Sequence, residues 1–169
     1  MEPPSLRVAL DANVLIAGVR LPRWPFEVMR AATRGLFDLV LPEQVMAEAR
    51  RHLPLAAQRA ALDAFLVSSR YEELPMPTGE RVAANLDLVR SAKDVPIALA
   101  LLDGGADIFV TNDRDFTAAG ATAERLNARV RIMLVAVFLR DVLGWSPESL
   151  EAIRNRRWED LPSVVEAQQ

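Results

Sequence analysis

Hydrophobic and polar positions along the chain switch between two periods. Leu6 to Leu10, Phe37 to Leu41, Asp107 to Thr111 and Val130 to Leu134 are short apolar runs broken by few polar residues, Arg7 among them. Such runs are expected of strands buried on both faces of a parallel sheet. Tyr71 to Leu74, closed by Pro75-Met76-Pro77, reads as a short edge strand. Between the runs the apolar residues recur at helical spacing. Pro25 opens one helix that Gly35 stops, and Pro42 opens another, running to about His52, with Val45, Met46, Ala49 and Leu53 on its apolar face. Pro54 restarts a helix to Ser68-Ser69, with Leu55, Leu62, Phe65 and Leu66 inward, and Thr78 is placed to cap a helix from Glu80 to Arg90. A helix from Asp94 ends at Gly104-Gly105, and residues 115–128 read as helical around Gly120. Val137 to Leu143 and a Ser146-Pro147-capped helix to about Asn155 complete the pattern, whereas Asn13 to Arg23 reads as loop with a helical turn. Strands alternating with helices predict a three-layer α/β/α fold around a central, mainly parallel sheet. One domain over residues 1–144 is expected, with residues 145–169 a helical extension packed on it and the tail after Trp158 loosely ordered.

Composition narrows the chemistry. The chain has 169 residues and is 51% hydrophobic, enough for one compact core. No apolar run approaches the roughly 20 residues that span a bilayer. The first residues, MEPPSLR, lack the basic and apolar regions of a secretory signal, so a cytoplasmic location is expected. Cys is absent, which removes thiol nucleophiles and thiolate metal sites. His52 is the single histidine, so a multi-histidine zinc site is excluded as well. Metal chemistry on oxygen ligands survives this filter. A net charge of −3 argues against a generic electrostatic nucleic-acid binder, but not against a nuclease whose acidic pocket is neutralised by a cation.

Four acids carry the remaining signal. Asp11 ends the first apolar run and Asp113 stands two residues past the Thr111 end of another. Asp94 opens a helix, and Glu48 lies on the helix after the second strand, at the border of its apolar stripe. In an open parallel sheet ligands bind at the carboxyl ends of the strands, the edge all four can face. Clustered carboxylates repel and raise one another's pKa, so such a group needs compensating charge. Mg²⁺ or Mn²⁺ supplies it, keeps bound water, and suits phosphodiester hydrolysis. Asn13 and Thr111 are placed to add hydrogen bonds, with Asp115 a turn residue or peripheral ligand. Arg20, Arg50, Arg51 and Arg114 are candidate phosphate contacts. Ordinary structural accounts stand beside these: Asp94 as a helix cap, Glu48 as a solvated helix residue, His52 as a packed or solvent-facing side chain. Asp11 and Asp113 resist such an account, because a carboxylate at the buried end of an apolar strand is costly without a partner.

The chain resembles the PIN-domain ribonucleases, which include the toxins of VapBC-type toxin–antitoxin pairs. ALDANVLIAG resembles that family's strand running into Asp-x-Asn, and VMAEARR carries its helical glutamate. KDVPIALALLDGGAD resembles its third-acid segment, and IFVTNDRDF its Thr-x-Asp ending. The likeness spans about Val8 to Phe116, with Val130 to Leu143 fitting the closing segment. It implies metal-dependent cleavage of RNA, with Asp11, Glu48, Asp94 and Asp113 as metal ligands. It also implies a homodimer held by an antitoxin protein that inserts a side chain into the active site. Extra helix between Pro54 and Arg90 and the extension from Trp145 to Gln169 depart from the compact toxins. A catalytically silent module of the same fold, binding RNA or protein, is the alternative of a different class. A response-regulator receiver would need a lysine after a late strand, whereas Lys93 precedes a helix, and a haloacid-dehalogenase-like phosphatase would need an aspartate where Asn13 stands.

Overall fold

A computed structural model describes residues 4–117 and 124–162. Five strands, β1 (Arg7–Leu10), β2 (Asp38–Pro42), β3 (Glu72–Leu74), β4 (Ile108–Val110) and β5 (Arg131–Met133), form one sheet in the order β3-β2-β1-β4-β5. Every pairing is parallel. In the centre, Val8 sits between Leu39 and Ile108, and Ala9 between Val40 and Phe109. These residues are buried, as continuous apolar strands require when helices cover both faces. The fold is therefore the expected three-layer α/β/α arrangement.

From β1 the chain steps outward to β2 and β3, then returns across the sheet to place β4 on the other side of β1. The outward steps carry α1 (Ala12–Arg20), α2 (Trp24–Thr33), α3 (Glu43–Arg51) and α4 (Ala56–Ser69), which pack on one another. The return carries α5 (Gly79–Ala83), a 3₁₀ turn at Ala92–Asp94, and the buried α6 (Val95–Asp103). Parallel crossovers are right-handed, so reversing direction moves the helices to the opposite face. The reversal opens a crevice between the carboxyl ends of β1 and β4. Short helices α7 (Arg114–Thr117) and α8 (Glu124–Asn127) precede β5, and α9 (Val135–Asp141) and α10 (Pro147–Ala152) follow it.

Several local expectations change. Leu55, expected inward, is exposed, because it stands at the N-cap of α4 rather than on the helix's buried face. Residues after Asp11 form a nine-residue helix, α1, rather than a loop, because the Asp11 carboxylate accepts the Ala12 N–H at its N-cap while Val14, Leu15 and Gly18 face the core. Gly18 lets α2 approach closely, since a Cβ there would collide with Met29 Sδ. The helix expected to reach Arg90 stops at Ala83. Just beyond it Asn85 Nδ2 takes the Arg81 carbonyl at 2.7 Å, a side-chain bond that competes with further helix. Of residues 115–128, helices α7 and α8 cover the described parts and 118–123, Gly120 among them, lie outside the described residues, while α10 ends at Ala152 instead of Asn155. Val135 rather than Val137 begins α9.

The C-terminal extension packs on α1 and α2. Trp24 Nε1 donates to the Leu150 carbonyl at 2.9 Å and Trp158 Nε1 to the Arg20 carbonyl at 3.0 Å. Arg156 reaches buried Glu27 at 2.6 Å, and the Trp158 ring meets Phe26 edge-on. Trp158–Asp160 is an ordered 3₁₀ turn, and the tail's last residues, 163–169, lie outside the described set.

Candidate metal centre

Asp11 leaves β1 at the crevice and caps α1, so one residue ends a strand and starts a helix. Its Oδ2 accepts from the buried Thr111 hydroxyl at 2.7 Å and from Asn13 Nδ2 at 3.3 Å, while Oδ1 accepts the Ala12 N–H at 2.8 Å. A carboxylate oxygen has two lone pairs, which leaves Oδ1 one for a further partner. Burial pushes Asp11 up to about 6, against the pull of the Thr111 and Ala12 bonds and with help from the charges of Glu48 and Asp113. Thr111 also accepts the Asp113 N–H at 2.9 Å. One hydroxyl thus joins the ends of β1 and β4.

Asp94 enters from α6. It occupies the N-cap position, with Pro96 in the first turn, but its side chain makes no capping hydrogen bond. The helix-cap account of this residue therefore fails. Asp94 is buried, and its Oδ2 has no hydrogen-bond partner among the described residues. Burial, then the charges of Asp113, Asp11 and Asp115, push it up to about 6, although Lys93 opposes the rise. Asp115 turns back so that its N–H meets Asp113 Oδ1 at 2.9 Å. As a result, one carboxylate oxygen from each of Asp94, Asp113 and Asp115 lies within 4.8 Å of the others.

A cleft of about 240 Å³ connects these acids, lined by Asp11, Asn13, Gln44, Glu48, Arg51, Lys93, Asp94 and Asp113. All four acids expected to gather thus face one cavity. Asp115 does not line the cleft: it is the turn residue expected, with one carboxylate oxygen grouped with those of Asp94 and Asp113. Of the candidate arginines only Arg51 lines the cleft. Arg50 pairs with Asp63 on α4 at 3.4 Å, Arg20 donates to the His52 carbonyl at 2.8 Å, and Arg114 is exposed on α7. His52 is exposed, in keeping with its solvent-facing account. Sequence reading missed Gln44 and Lys93. Gln44 lies four residues before Glu48 on the same helix, a spacing that puts both on one face, and Lys93 adjoins Asp94.

An orphaned buried carboxylate oxygen beside two more carboxylates fits a cation held by oxygen ligands. With no Cys or His in the cleft, the donor set is hard, suited to Mg²⁺ or Mn²⁺ rather than zinc. Asp94, Asp113 and Asp115 would hold the ion, with Asp11 Oδ1 and Glu48 across the cleft.

No family model and no curated protein matches this chain. A solved structure does: the crystal structure of PAE2754 from Pyrobaculum aerophilum superposes with a TM-score of 0.52 at 18% identity. The match covers 83% of this chain and 97% of that one. At this identity the likeness is one of fold.

Proposed function

We propose that this protein is a metal-dependent endoribonuclease with the PIN-domain resemblance noted above, hydrolysing RNA phosphodiester bonds in the cleft at the sheet's switch point. The observation that carries this reading is the buried, unpartnered Oδ2 of Asp94, grouped with Asp113 and Asp115 opposite Asp11 and Glu48. A bound divalent ion supplies a water of lowered pKa and charge stabilisation at the scissile phosphate. The chain's own residues do the rest. Thr111 fixes the Asp11 carboxylate and the Asp113 backbone relative to each other, so the acids are aligned before substrate arrives. Lys93 and Arg51 stand at the cleft wall, where cations attract a phosphate that the acids alone would repel.

The test is incubation of pooled, 5′-labelled single-stranded RNA with the purified protein in Mg²⁺, in Mn²⁺ and in EDTA. Cleavage in either metal and none in EDTA is the expected result. Intact RNA throughout, from protein shown to be folded and free of bound inhibitor, would favour the silent binding module.

A further inference from the structure

Outside the cleft, the described surface has a second polar groove, of about 330 Å³, between α5, α6 and α8. Leu99 and Leu102 of α6 contribute its apolar lining, and Arg81, Asn85, Arg125 and Arg129 its polar lining. Arg81 is neutralised: it makes a two-pronged pair with Asp103, the one carboxylate lining the groove. Arg125 donates to the neutral Asn85 side chain, and Arg129 is exposed, with no ion pair among the described residues. Among the described residues the groove therefore carries two guanidinium groups with no carboxylate partner, on a protein whose net charge is −3.

Its position relative to the acids is set by the chain. The Arg81–Asp103 pair pins α5 to the C-terminal end of α6. From there the chain runs back along α6 to Asp94 at its near end, a helix of nine residues or about 13 Å. On the way Arg90 comes 3.9 Å from Asp115, and Lys93 enters the acidic cleft. Arg90, paired with Asp115, and Lys93 thus stand on the stretch of chain that joins Arg81 of the groove to Asp94 of the candidate metal centre. We infer that the groove lined by Arg125 and Arg129 is a backbone-binding site for single-stranded RNA leaving the cleft, an inference that rests on the ribonuclease reading. Guanidinium groups match phosphate geometry, and the leucine floor leaves room for an unpaired base.

The test is fluorescence anisotropy of a labelled, mixed-sequence 14-nucleotide RNA in EDTA, where metal-dependent cleavage is off. The proteins compared are the wild type, Arg125→Gln/Arg129→Gln, and the charge-conserving Arg125→Lys/Arg129→Lys, with circular dichroism melts to confirm folding. For two lost phosphate contacts the glutamine variant is expected to bind on the order of tenfold more weakly. Its salt dependence should be shallower by about 1.4 in log–log slope, and the lysine variant should restore most of that slope. Equal affinity and slope in wild type and glutamine variant would overturn the inference. So would a poly-glutamate peptide whose binding depends on these arginines while RNA binding does not. The two readings fail separately: arginine-dependent binding without cleavage in Mg²⁺ or Mn²⁺ would remove the nuclease and keep the groove, and cleavage with unaltered binding would do the reverse.

Discussion

At the residue scale, the site is a set of carboxylates held where water solvates them poorly. Asp11 is buried, and its folded pKa of about 6 lies above its unfolded value of about 3.9. The folded state therefore binds more protons across that window, and stability falls as pH rises from about 4 to about 6. In metal-free protein this loss should reach up to about 3 kcal/mol for Asp11, with Asp94 acting in the same direction. Chemical denaturation at pH 4.5 and pH 7 checks it: wild type should be the more stable at the lower pH, and Asp11→Asn should flatten the difference. Saturating Mn²⁺ should raise stability at pH 7 by about 2.7 kcal/mol at a hundredfold excess over Kd, and little in Asp94→Asn. Thr111 invites a second substitution. Thr111→Val keeps the shape but removes the hydroxyl that joins Asp11 to the Asp113 backbone. Cleavage should drop about 10- to 100-fold, as for other residues that orient metal ligands, and Thr111→Ser should recover much of it. Asp11, Asp94 and Asp113 were legible in the sequence because each follows or precedes an apolar run at a strand or helix end. Asp115 was legible as a turn residue or peripheral ligand, and its closeness to Asp94 and Asp113 depends on the turn in which its own N–H meets Asp113.

At the scale of elements, the strands and most helices could be read from periodicity and punctuation. Pro25 and Pro147 do fall in first turns, and the Thr78 and Ser146 hydroxyls do cap. Helix α1 escaped because its start is set by Asp11, which serves the site and the cap together, and because Gly18 looks like a breaker until Met29 fills the space beside it. The extension shows the limit differently. Its apolar spacing suggested packing, but the partners lie more than 120 residues away in sequence, where no local pattern reaches. Glu27 is its anchor, buried and bonded to both Arg30 and Arg156. Arg156→Ala leaves that carboxylate short of its nearer partner. It should cost about 3 kcal/mol, measured as a shift in urea midpoint. RNA cleavage at temperatures below the transition should be unchanged, because Arg156 lies on α1 and α2 rather than at the cleft.

For the whole molecule, strand order decides what the separate acids mean. The alternation of strands and helices announced a parallel sheet, but which strands adjoin was not written in any single segment. With β4 beside β1 the sheet reverses direction between the two strands that end in Asp11 and Asp113. α6, arriving on the return crossover, delivers Asp94 to the same crevice, and α3 delivers Glu48. Four residues spread over about a hundred positions thus line one cavity, a juxtaposition expected from their places at strand and helix ends and not from composition. The measurement that tests this most directly is single-turnover cleavage of a labelled RNA as Mn²⁺ is titrated, comparing wild type with Asp94→Asn and Asp113→Asn. A saturable, metal-dependent rate is expected in wild type and a fall of at least about a hundredfold in each variant, with folding intact by circular dichroism. Wild-type rates in both variants would contradict it, since the activity would then arise from somewhere other than these carboxylates.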